Sequence, residues 1–285
     1  MRRLPLVLAL TATMICATAI AKEPAKDTAK AGTTTTPSAI DAALAGDWRD
    51  PKNVARDVYR HPAQTLAFFG VSSDQTVVEV WPGGGWYAEI LAPLLSERGK
   101  YIGAANDPAA LAEERSKAGA ERTMVGLREK FAARPGVYGP ASLVLIDPAK
   151  PVFGKPGTAD AVLTFRNVHN WRMAKQAEGF FAGFFAVLKP GGTLGVVEHR
   201  AAKDVPADDS SGYVSEAQVI AYATAAGFKL VGKSEVNANP KDTKDYPKGV
   251  WTLPPVLREG ETDRAKYLAI GESDRMTLRF VKPKK

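Results

Sequence analysis

An α/β fold with a doubly wound sheet is predicted from three features of this sequence. From Thr76 onward, β-type runs alternate with amphipathic helical runs. The first β-run leads through an acid into three consecutive glycines, "VVEVWPGGGWYAEILA" over Val77–Ala92. No internal repeat offers a competing architecture.

The elements follow in order. "TVVEVW" is the first strand. The helix after the glycines aligns Tyr87, Ile90, Leu91, Leu94 and Leu95 at i, i+3, i+4, i+7 and i+8, with Pro93 expected to kink it. "KYIGAA" is a second strand ending at "NDP", and a polar helix spans 109 to about 133. "SLVLID" and "ADAVLTF" are the third and fourth strands. Phe180, Phe181, Phe184, Phe185 and Leu188 mark a buried helix that stops at "KPGG", where glycine is expected to supply the C-terminal turn. "TLGVVEH" is the fifth strand. Ser215 and Gln218 make a capping-box pattern for a helix that runs to Ala226 and ends at Gly227. "FKLVGKSEV" and "DRMTLRFV" are the last β-runs. The connection between them, about 237–272, reads as a lid or as an irregular flap over the sheet edge.

Ahead of the sheet, "RDVYRHPAQTLAFFG" carries apolar Val58, Leu66, Phe68 and Phe69 in one or two helices that lead into the core. The first 21 residues combine Arg2-Arg3, an apolar run and Ala19-Ile20-Ala21, which is a secretory signal pattern. Residues 22–40 are rich in Ala, Lys, Thr and Pro without apolar periodicity, a flexible linker. The expected organisation is therefore signal peptide 1–21, linker 22–40 and a single domain 41–285, exported to the periplasm with no stable membrane insertion after cleavage.

With 285 residues and 45% hydrophobic composition the chain can bury a sizeable core. Its one cysteine, Cys16, leaves with the signal, so no disulfide or cysteine metal site is expected. Without Arg2 and Arg3 there are 36 basic against 31 acidic residues, dispersed along the chain. Only "KPKK" clusters, at the end, so no basic stripe demands nucleic acid and none is expected as a partner. The acids are dispersed and no histidine pair has i, i+4 spacing, so no metal is expected.

Glycines at a strand-to-helix turn let a ligand approach the main chain. "GGGWYA" satisfies G-x-G-x-x-A, and Asp107 lies 22 residues beyond Gly85, which admits an NAD-dependent oxidoreductase. Glu79 argues against it. An acid at the strand end suits a cationic ligand and repels a pyrophosphate.

Taken together, "VVEVWPGGGWYAEILA", "GKYIGAANDP", "ADAVLTFRNVHNW", "VLKPGGTLGVVEH" and "AAGFKLVGKSEV" resemble the successive motifs of class I S-adenosylmethionine-dependent methyltransferases. With "RDVYRHPAQTLAFFGV" and "NPKDTKDYPKGVWTLPP", the chain is similar to a bacterial branch of exported predicted methyltransferases. The resemblance implies a Rossmann-like seven-stranded sheet with the last strand antiparallel, and S-adenosylmethionine as cofactor. It places Glu79 near the cofactor's amino group and the turn of Gly83, Gly84 and Gly85 against its adenosine and methionine parts. It puts Asn106 or Asp107 on the ribose, Asp147 on the adenine amine, and Arg166 and Asn167 along the methionine end. Two positions depart from the pattern. Trp81 stands where the first glycine is usual, so that the turn is wider or the indole stacks outside it, and Ala105 stands where the ribose acid is usual.

Methyl transfer to an alcohol or amine needs a base. His169 and His199, with Glu198 beside the latter, follow strands four and five, whose C-terminal ends face the ligand crevice of such sheets. Trp171, Tyr246 and Trp251 are candidate walls for an apolar acceptor, and His61, before Pro62, is read as structural. The function expected is methyl transfer to a small-molecule or envelope acceptor. The alternative is a binding protein of the same fold without catalysis, which Trp81 and Ala105 favour.

Overall fold

The computed structural model describes Met1 and residues 38–206 and 208–284. The expected signal and residues 22–37 of the expected linker lie outside the described residues. Among the described residues no helix is long and apolar enough to cross a membrane.

The leading segment forms four short helices: α1 (Ala39–Leu44), α2 (Pro51–Val54), α3 (Asp57–Arg60) and α4 (Pro62–Phe69). Ser38 and Asp41 make a reciprocal capping box on α1, and Gly70, at φ 72°, ends α4. Leu66 and Phe69 are fully buried, whereas Val58 is 65% exposed, because α3 turns its other face, with Arg60, inward. His61 sits between α3 and α4 in the left-handed region, at φ 40°.

Then come β1 (Thr76–Val80), α5 (Ala88–Leu95), β2 (Lys100–Asn106), a 3-10 turn (Pro108–Ala110), α6 (Glu114–Ala133), α7 (Pro135–Tyr138), β3 (Ser142–Ile146), β4 (Ala159–Phe165), α8 (Val168–Met173), α9 (Ala177–Val187), β5 (Leu188–His199), α10 (Glu216–Ala225), β6 (Lys229–Ser234), a 3-10 turn (Gly249–Thr252), α11 (Arg264–Ile270) and β7 (Arg275–Val281). The seven strands form one sheet in the order β3-β2-β1-β4-β5-β7-β6. β1 to β5 are parallel, and β7 inserts antiparallel between β5 and β6. This is the expected Rossmann-like, doubly wound sheet.

Alternate residues of the central strands feed two cores, as the period of two requires. Val78, Val80 and Val162 face the Phe180, Phe181 and Phe184 cluster of α9. Val77, Ala161 and Leu163 face Leu66, Phe69, Ile90 and Leu91 of α4 and α5. Being covered on both faces, β1 and β4 are apolar almost throughout. The Ser215–Gln218 capping box starts α10 as expected.

One local expectation differs. α9 ends at Val187 with Leu188 already extended, and Lys189–Gly192 belong to β5, where the register against β4 shifts. The glycines accommodate that irregularity and do not cap the helix. The connection from 235 to 274 is packed: Asn237 bridges the Thr65 and Thr277 hydroxyls, Asp242 accepts from the Tyr213 hydroxyl and the Asp274 amide, and Leu253 is fully buried. It forms a wall at the sheet's edge and carries Trp251 and Glu272 toward the strand ends.

Candidate functional site

The strand order reverses between β1 and β4, and two adjoining cavities open at the carboxyl ends of these strands. The larger, about 560 Å³, is lined among others by Trp81, Gly83, Ala105, Asn106, Pro148 and Asn167. The smaller, about 270 Å³, takes in Glu79, Gly83, Gly84, Arg56, Arg60 and Arg166. Trp81, Gly83 and Asn167 line both, so one ligand can lie across the β1 turn.

Glycine is required at this turn. Gly83 has φ 57°, and a Cβ at Gly83 or Gly84 would meet no atom within 4 Å. The space that those side chains would fill is the cradle itself. Gly85, at φ 84°, is different: its Cβ would approach Leu127 of α6 at 3.1 Å, so it serves helix packing. Trp81 adopts φ 50° and lays its indole edge against Trp171 and Phe180, with ring centroids at 5.6 and 5.5 Å. The indole therefore stacks outside the turn and walls both cavities without filling them.

Glu79 is buried and accepts a hydrogen bond from the Tyr101 hydroxyl at 2.7 Å. Burial pushes its carboxyl up to about 7, against the smaller opposing pull of that bond. A cation arriving in the smaller cavity would draw it back to the ionised form. Asn106 lines the larger cavity, and its Oδ1 is buried without a hydrogen-bond partner. Asn167 donates from Nδ2 to the Val80 carbonyl at 2.9 Å, tying the end of β4 to that of β1.

Asp107 and Asp147 are not brought to the cavities. Each precedes a proline and accepts the amide of the residue two further on, Ala109 at 3.0 Å and Ala149 at 2.8 Å. Asp-Pro is a turn-starting pair, and that signal was available in the sequence.

Beyond β4 and β5, His169, Glu198 and His199 come together, with one ligand atom of each within 4.8 Å of the others. Glu198 is fully buried. It accepts the His169 amide at 3.2 Å, the His199 amide at 2.7 Å and His169 Nδ1 at 3.0 Å. With a carboxylate accepting at Nδ1, the His169 proton resides there and Nε2 presents a lone pair. The His199 ring lies 5.3 Å from that of His169, and its Nδ1 is 2.6 Å from Ser273 Oγ. Burial first, with the guanidiniums of Arg166, Arg275 and Arg60 adding to it, holds His199 well below the usual histidine range, so it is neutral. These three donors could ligate a metal ion. The same geometry also makes His169 an imidazole oriented by a carboxylate. Neither histidine lines either cavity.

Sequence reading missed Arg56, Arg60 and Glu272. Arg56 and Arg60 stand at i, i+4 in "RDVYRHP", a spacing that puts both on one helical face. Nothing local in the sequence marks Glu272. Of the candidate walls, Trp171 is fully buried and stacks on Phe180 at 4.3 Å, Tyr246 lies edge-on to Tyr267, and Trp251 lies edge-on to His169 at 5.9 Å.

No family model matches the chain, and no curated protein matches it. Solved structures do. A SAM-dependent methyltransferase from Aquifex aeolicus is 18% identical over 82% of this chain and 94% of its own, with a TM-score of 0.53. The [4+2]-cyclase SpnF is 16% identical over 79% and 81%, with a TM-score of 0.55. Identities this low speak for the fold alone, and a cyclase sharing it shows that fold does not set the reaction. The chain has the class I S-adenosylmethionine-dependent methyltransferase fold.

Proposed function

We propose that the protein is an exported, periplasmic S-adenosylmethionine-dependent methyltransferase acting on a small-molecule or envelope acceptor. The observation that carries this reading is Glu79, a buried acid without a cationic partner beside a turn whose missing side chains leave a cradle. The residues fit the cofactor: Glu79 for its positive charge, Gly83 and Gly84 for close main-chain approach, and the unpartnered Asn106 Oδ1 for a ribose hydroxyl. When bound, S-adenosylmethionine supplies a methyl group on a positively charged sulfur. Asn167 closes the methionine end, and Trp81 separates it from the aromatic core. His169, its Nδ1 proton held by Glu198, takes the acceptor's proton at Nε2.

A second reading is a ligand-binding protein without catalysis. The absence of both histidines from the cavity lining favours it.

Calorimetric titration with S-adenosylmethionine, S-adenosylhomocysteine and NAD tests the cofactor. Affinity for the first two with a Kd of order micromolar supports methyl transfer, and stabilisation by NAD alone would reverse the assignment toward an oxidoreductase. His169→Ala should retain that affinity and lower turnover by about 100-fold or more. Full activity in this variant removes His169 as the base, and tight cofactor binding with no methyl transfer across an acceptor panel selects the second reading.

A further inference from the structure

The smaller cavity has a wall whose charge is not balanced by the protein. Arg56 Nε donates to Glu272 Oε1 at 2.7 Å, Arg60 Nε and Arg275 Nη1 approach Glu272 Oε2 at 3.2 and 3.0 Å, and Arg166 Nη1 stands 3.9 Å from it. Four guanidiniums thus share one carboxylate. Arg60 and Arg275 are each 3% exposed, so water does not screen the surplus. Arg56 Nη2, Arg60 Nη2 and Arg275 Nε are buried without an acceptor. Arg60 is held in place by stacking its guanidinium over Trp86, 4.6 Å from the ring centroid. Arg166 projects from a left-handed backbone position, φ 62°, directly after β4.

A surplus of buried positive charge with unfilled donors calls for an anion. One carboxylate from the amino-acid end of S-adenosylmethionine would not exhaust it, because four guanidiniums share only Glu272 and the cofactor's ammonium and sulfonium bring two further positive charges. The geometry points to a second ligand: Arg56, Arg60 and Arg166 form a recognition site for an oxyanion, a carboxylate or phosphate carried by the methyl acceptor, so that the substrate is anionic. Arg275 and Glu272 hold the donors in position from behind. Assigning the anion to the acceptor rests on the methyl-transfer reading, whereas the anion site itself does not. Trp86, Tyr87 and Phe165 also line this cavity and offer apolar contact to the body of such a molecule.

Titration with inorganic phosphate and with succinate, each with and without saturating S-adenosylhomocysteine, tests this directly. Binding of at least one anion is expected, unchanged within about twofold by S-adenosylhomocysteine and weakened about tenfold or more in Arg166→Gln and in Arg56→Gln. Thermal melting checks that the variants fold, and Arg56→Lys, which keeps the charge but not the fork, should recover only part of the affinity. Absence of anion binding, or binding unaffected in both Gln variants, overturns the site. Competition between the anion and S-adenosylhomocysteine overturns the assignment to the acceptor, since the arginines would then belong to the cofactor's own carboxylate. Failure of S-adenosylhomocysteine to bind at all, with anion binding intact, overturns methyl transfer and leaves the anion site standing.

Discussion

Two buried glutamates, Glu79 lining the smaller cavity and Glu272 behind its arginine wall, have opposite fates. Glu79, at the end of β1, has only the Tyr101 hydroxyl as partner, and its carboxyl is pushed up to about 7. Burial also works to raise Glu272, before β7, but Arg60, Arg275, Arg166 and Arg56 outweigh it and hold that carboxyl down at about 2. Desolvation acts in the same direction on both, so the neighbours decide the sign. The cavity therefore presents an acid lacking a cation and a cluster of cations lacking anions.

The largest effect is expected at Glu272. Glu272→Gln leaves four guanidiniums without a counter-charge and should cost about 3–5 kcal/mol in chemical denaturation at neutral pH. In the unaltered protein Glu272 is ionised down to about pH 2 when folded and to its ordinary 4.5 when unfolded. Its stabilisation is therefore complete above 4.5 and is lost as the pH falls through 2. An acid limb of unfolding that Glu272→Gln leaves unchanged would remove this residue as the keystone of the cluster.

Glu79 should behave in the opposite sense. Its folded value near 7 lies above the ordinary 4.5, so its charge costs nothing below pH 4.5 and costs increasingly as the pH rises through 7. Glu79→Gln should accordingly be more stable than the parent by up to about 3 kcal/mol at pH 8 and indistinguishable from it at pH 4. The same variant should lose affinity for S-adenosylmethionine. Equal stability at both pH values would mean that Glu79 is not uncompensated.

Gly84→Val sharpens the ligand side of the comparison. No positive φ is required at Gly84, and its Cβ would meet nothing, so the side chain enters the cavity without straining the turn. Binding of S-adenosylhomocysteine should weaken by about 2 kcal/mol or more, read by calorimetry, with the melting temperature nearly unchanged. The smallest effect is expected from Arg166→Gln, which relieves repulsion in the cationic cluster and should stabilise the ligand-free protein by about 1 kcal/mol. A lower melting temperature would show that Arg166 is already neutralised by its surroundings.

Much of this fold was legible because it is written locally. The fourth strand at Ala159–Phe165 and the Ser215–Gln218 capping box are set by side-chain alternation and by contacts three residues apart, and both are found where the pattern puts them. The glycine turn and Glu79 were legible for the same reason, as adjacent residues at one strand end. At Asp107 and Asp147 the Asp-Pro turn chemistry, equally local, engages one carboxylate oxygen of each.

The sequence by itself determined the order of strands and helices, the bend after the first strand and the acid beside it, since each depends on residues within a few positions of one another. Only the tertiary structure decided where the Trp81 indole would stack, that Glu198 would hold His169, and that Arg56 would meet Glu272 from 216 residues away. Charge interactions depend on distance in space and on exclusion of water. Both come into being when the sheet closes and the 235–274 wall packs against α3 and α4.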